Sequence, residues 1–154
     1  MGRGHLSRLL FFGIALAVAA SAAAASTIPF RVVAHGISTA RTTDKPFALI
    51  ATSEVGSQRI VRDGPAGKQV VLRVNYRTSI VLGVFGPFGC KDRRVRVARI
   101  TQAGSTVTVH LAVSPLAPGV MECQAIYETA RILVLPRAAL DRTPTKALVT
   151  VAGS

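Results

Sequence analysis

Residues 77–100, RTSIVLGVFGPFGCKDRRVRVARI, set an apolar run, a Gly/Pro turn, a cysteine and a strongly basic segment side by side. Ser79 to Phe85 is continuously apolar over the length of one strand, the pattern of a strand covered on both faces. Gly83 inside it predicts a bulge or a close approach. Gly86-Pro87-Phe88-Gly89 follows as a turn, because glycine tolerates positive φ and proline fixes φ. The spacing then predicts a strand over Arg93–Thr101, with Val95 and Val97 on one face and Arg94 and Arg96 on the other. Ile100 is out of phase with those valines, which predicts a bulge near Ala98.

Downstream, Ala103-Gly104 reads as a hairpin turn into Ser105–Val113. There Val107, Val109, Leu111 and Val113 alternate with Thr106, Thr108 and His110, as in a half-buried antiparallel strand. Ser114 to Gly119 is a loop, Ala130–Leu135 a short apolar strand ended by Pro136, and Ala147–Val151 a last strand. Upstream, strands are expected over Thr27–Ala34, ended by Gly36, over Phe47–Thr52 and over Gln69–Val74. Ser53 is placed to cap a short helix from Glu54 to Val61, with a strand through Arg59–Val61 as the alternative. Asp63 to Gly67 is a turn or loop and Asn75 to Arg77 a bend. Many short strands and at most one short helix predict an all-β, mainly antiparallel fold, a compact β-sandwich or barrel.

The chain has 154 residues. Arg3 and Arg8 precede the apolar stretch Leu9–Ala20, and Ala23-Ala24-Ala25 forms a small-residue cleavage site before Ser26. This is the pattern of a secretory signal peptide over residues 1–25, with a single β-rich domain over 26–154. Export to the periplasm or the extracellular space is the expectation. Without Arg3 and Arg8 there remain 17 Lys and Arg against 7 Asp and Glu, a net charge of +10. That charge favours anionic partners such as envelope polymers or acidic protein surfaces. The few aromatic residues do not interleave with the basic cluster, which argues against a nucleic-acid stacking platform.

Cys90 and Cys123 are the two thiols, and in an oxidising compartment an even count reads as one disulfide. The competing reading, a two-ligand metal site, lacks any Cys-x-x-Cys or paired-His spacing, so no metal or cofactor is expected. Asp44, Glu54, Asp63, Asp92, Glu122, Glu128 and Asp141 form no close pair in sequence of the kind acid–base catalysis uses. A hydrolase would require His35 or His110 to meet a Ser or Asp across the sheet, and no G-x-S-x-G elbow is present. No enzyme is expected, and His35 beside Gly36 reads as a partly exposed turn residue. The main surface feature is the cluster Lys91, Arg93, Arg94, Arg96 and Arg99. It is either a docking patch for an acidic partner or a solvated sheet face with arginine stems over apolar neighbours.

Three stretches in order carry a family resemblance: IPFRVVAHGIS (Ile28–Ser38), VNYRTSIVLGVFGPFG (Val74–Gly89) with RVRVARI after it, and YETARILVLPRAAL (Tyr127–Leu140). Together they resemble the C-terminal domain of the bacterial protease complex subunit PrcB family. Two departures stand out: Gly86-Pro87-Phe88-Gly89-Cys90 occupies the place of a Thr-Gly-Gly-Tyr-type turn, and Asn75 that of an Asp. The resemblance implies a small exported β-rich domain without catalysis of its own, associated with a secreted protease complex. The expected function is therefore a non-enzymatic domain docking a secreted or envelope protein. Its expected contacts are Gly86, Pro87, Phe88 and Gly89 with the basic cluster beside them. The alternative is an envelope protein binding anionic polymer through Arg93, Arg94, Arg96 and Arg99.

Overall fold

A computed structural model of the chain describes residues 26–38, 44–65, 73–121, 123, 125 and 127–152. The expected leader 1–25 and residues 69–72 of the expected strand Gln69–Val74 lie outside the described residues; Arg73 and Val74 are not in a strand. The elements run β1 Ser26–Thr27, β2 Arg31–Ile37, β3 Phe47–Ala51, α1 Glu54–Arg62, β4 Ser79–Gly86, β5 Val95–Ala103, β6 Thr106–Val113, β7 Thr129–Pro136 and β8 Lys146–Ala152. Short 3₁₀ helices occupy Gly89–Arg94 and Arg137–Ala139. Two four-stranded sheets result, ordered β1-β5-β6-β8 and β2-β7-β4-β3. The fold is mainly β, with a single α-helix among the described residues.

The two sheets share one core. Ile80, Leu82 and Val84 of β4 and Leu133 and Leu135 of β7 pack with Val95, Ile100, Val107, Val109 and Leu111 of β5 and β6. This inter-sheet packing makes the fold a β-sandwich. The opposite face of β4 and β7 presents Val81, Phe85, Ala130, Ile132 and Val134, which pack with Ile60 of α1. Coverage on both faces explains the unbroken apolar run of β4. Gly83 marks a close approach and not a bulge: a Cβ there would stand 2.7 Å from Ile60 Cγ2, and the β3–β4–β7 register is unbroken. The helix begins where its cap predicts, with Ser53 Oγ accepting from Gly56 N at 3.1 Å.

The β5–β6 hairpin turns at Gly104, whose φ is +58°. Its register shifts between Val97 and Arg99, so the bulge falls at Ala98 and returns Ile100 to the core, where it is fully buried. On its far side β6 pairs with β8 in parallel register, His110 opposite Thr150.

Two expected segments differ from what forms. The strand expected over Thr27–Ala34 is two strands in different sheets. Ile28 donates to Ile100 O at 2.8 Å, Pro29 supplies no N–H, and the chain then crosses to β2. Gly36 does not end β2, which continues to Ile37. The strand expected from Arg93 starts only at Val95, because Gly89–Arg94 winds into a 3₁₀ helix. Four consecutive charged residues, Lys91 to Arg94, offer no apolar side chain for a strand to bury.

Candidate functional site

The 3₁₀ helix Gly89–Arg94 closes one end of the sandwich, and its sequence explains how. Gly89 takes a φ of +48°, and a Cβ there would run into the Ala125 carbonyl. Its N–H donates to Tyr127 O at 3.2 Å. Cys90 is joined to Cys123, with Cα atoms 5.8 Å apart, so the expected disulfide forms. The turn is thereby fastened to the segment before β7.

Within that helix Asp92 points inward and is buried beneath the basic surface. Its Oδ1 accepts from Thr129 Oγ1 and from Arg131 Nη2, each at 2.7 Å, and its Oδ2 accepts from His35 Nε2. Arg131 Nη2 also donates to the Asp92 carbonyl at 2.9 Å and to Val95 O at 3.0 Å. The guanidinium lies 5.4 Å from the centre of the Phe88 ring. His35 and Arg131 are partners in the β2–β7 register, which delivers both side chains to the Asp92 carboxylate. A buried arginine takes the place of an inter-sheet apolar residue here. It holds the carbonyls and the carboxylate of a turn that has no ladder of its own.

His35 is thus a mid-strand residue bonded to a buried carboxylate, not the turn residue expected. The first requirement of a hydrolytic arrangement, an imidazole on an aspartate, is met. A nucleophile is not joined to it: the Thr129 hydroxyl donates to Asp92, and no hydroxyl among the described residues bonds to His35. His110 sits elsewhere, on the outer face of β6, with Nε2 2.9 Å from Thr101 Oγ1 and Nδ1 2.9 Å from Thr150 Oγ1.

The five clustered cations occupy two surfaces. Lys91, Arg93 and Arg94 ride on the 3₁₀ helix, while Arg96 and Arg99 stand on the outer face of β5, opposite Ala112 and His110. Arg94 Nη1 donates to Ser114 O, tying the helix to the loop after β6. Between these two segments lies a groove of about 480 Å³. Its lining is mostly apolar, from Pro87, Phe88, Val95, Val113, Pro115, Leu116, Val151 and Ala152, with Lys91 and Arg94 as its two cations. Pro87, Phe88, Lys91 and Arg94 are therefore brought together along one groove. Gly86 and Gly89 shape the turn and do not line the groove, and Arg93, Arg96 and Arg99 lie outside it.

Sequence reasoning missed Asp92, Thr129, Arg131 and His35 as one network. The available signal was Arg131, a single cation inside the apolar run ARILVL, which when buried requires a buried acceptor. Among the described residues no group of three His, Cys, Asp or Glu side chains is arranged to hold a metal ion, and no helix is long and apolar enough to cross a membrane. The groove belongs to a disulfide-fastened β-sandwich and is lined by apolar side chains and two cations. No family model, curated protein or solved structure matches the chain.

Proposed function

We propose that the chain is an exported, non-enzymatic binding domain of the PrcB accessory-subunit kind, docking a secreted or envelope protein through the groove beside Phe88. The observation that supports this reading is a groove lined by apolar side chains together with the cations Lys91 and Arg94. An apolar side chain flanked by carboxylates satisfies both, whereas a purely polyanionic chain leaves Val113, Pro115 and Leu116 unused. The net charge of +10 over residues 26–154 steers such an acidic segment toward the domain. The disulfide adds preorganisation by holding the Phe88 turn in place before a partner arrives.

The test is direct. A peptide carrying Leu or Phe between acidic residues is titrated into the disulfide-bonded chain and followed by NMR and anisotropy. Shifts centred on Val113 and Leu116, lost in Leu116→Asp and weakened in Lys91→Glu, support the reading. Equal binding by a polyanion without apolar side chains, or shifts centred on Arg96 and Arg99 instead, overturns it in favour of polymer binding.

A further inference from the structure

The outer face of the β5-β6-β8 sheet holds a second, separate arrangement. Arg99, His110 and Thr150 form one cross-strand row, since Arg99 pairs with His110 and His110 with Thr150. They line a shallow cleft of about 310 Å³ together with Ala98 and Ala152. Both imidazole nitrogens are committed to threonine hydroxyls, Nε2 to Thr101 and Nδ1 to Thr150. A neutral imidazole has one N–H and one bare nitrogen. With the proton on Nδ1, Thr101 donates to Nε2 and Nδ1 donates to the Thr150 oxygen. The Thr150 hydroxyl proton is then unspent, on a side chain that lines the same cleft as Arg99.

We infer that this cleft is an oxyanion site of phosphate type, in which Arg99 and the Thr150 hydroxyl donate to the anion and His110 orients that hydroxyl. Guanidinium and hydroxyl donors are the groups that recognise phosphoryl oxygens. The outward positions of β8 beside them are Leu148, Thr150 and Ala152, none of which carries a charge, and Arg96 opposite Ala112 is the next cation on β5. No carboxylate of the paired strands stands in this row to repel an anion. Burial first, and the Arg99 charge second, hold the His110 pKa below its ordinary value, so a bound anion that offsets Arg99 acts on a group already sensitive to it.

The experiment follows the His110 ring signals by NMR across pH at constant ionic strength, with inorganic phosphate or dimethyl phosphate replacing chloride. Phosphate is expected to move the His110 midpoint up by about one pH unit, the scale of a newly adjacent opposite charge. In Arg99→Gln the starting midpoint rises, because the neighbouring cation is gone, and phosphate adds no further shift. Thr150→Val weakens the phosphate response while Leu116→Asp leaves it intact. A response to both probes assigns the site to a phosphodiester, as in an envelope polymer or lipid headgroup. A response to inorganic phosphate alone assigns it to free phosphate or a monoester. A His110 midpoint unmoved by either probe, or moved equally in Arg99→Gln, overturns the inference.

Discussion

Asp92 and Arg131, thirty-nine residues apart, meet at 2.7 Å beneath the basic surface, each less than a tenth exposed. The contact joins the 3₁₀ helix to the central strand β7 and so fixes the wall of the groove to the core. Removing one member of a buried pair leaves the other charge uncompensated. Asp92→Asn is expected to lower unfolding stability by about 3–5 kcal/mol, read from urea denaturation. A loss under about 1 kcal/mol, the worth of an exposed pair, would show that the contact is solvated.

The Cys90–Cys123 bond closes 34 residues, for which the chain-entropy relation gives about 3–4 kcal/mol. The Cys90→Ser, Cys123→Ser double variant should lose stability on that scale. It should also bind acidic–apolar peptides more weakly than the bonded chain does, because the Phe88 turn is no longer held in advance. Unchanged affinity would separate the bond from the site.

Gly83→Ala sets a methyl 2.7 Å from Ile60 Cγ2 and 2.8 Å from Phe85 Cε2. Overpacking of this kind costs about 1–3 kcal/mol, seen as a lower melting temperature. Ile60→Ala in the same chain should recover part of the loss relative to the sum of the single variants. Strict additivity would place the clash elsewhere.

The depressed pKa of His110 gives stability a pH dependence of known sign. As pH falls below about 6.5 the unfolded chain takes up a proton that the folded chain still refuses. The unfolded state then binds more protons, so this contribution is present above that pH and is lost on acidification. His110→Gln, which preserves hydrogen bonding to the threonines, should flatten the difference between pH 7.5 and pH 5.5 in urea unfolding. An unchanged slope would trace the acid sensitivity to other groups.

The parts of the fold legible in the sequence are those set by local alternation. The threonines and valines of β6 announce one wet and one dry face, and Ile100 betrays the Ala98 bulge because only an extra residue brings it inside. The run Ser79–Phe85 shows coverage on two sides because no polar residue interrupts it. The His35–Asp92–Arg131 network was not legible in this way. It joins three segments whose neighbourhood depends on sheet order, and Asp92 is masked in sequence by the cations around it. The groove was half legible: Pro87, Phe88, Lys91 and Arg94 come from one stretch, but Val113, Leu116 and Val151 arrive through the strand order β5-β6-β8.

That strand order also bears on how the sandwich is assembled. The first and last described strands, β1 and β8, are the two margins of a single sheet, and the β5–β6 hairpin between them is its one local element. The sheet therefore stays incomplete until Lys146–Ala152 has been made and has docked in parallel beside β6. Pairings so distant in sequence form slowly. Until then the β6 side of the hairpin presents an open hydrogen-bonding edge, the condition under which partly made β-proteins join one another. The latest-arriving strand supplies Val151 to the groove and Thr150 to the outer cleft, so neither surface exists on a chain that has not finished folding.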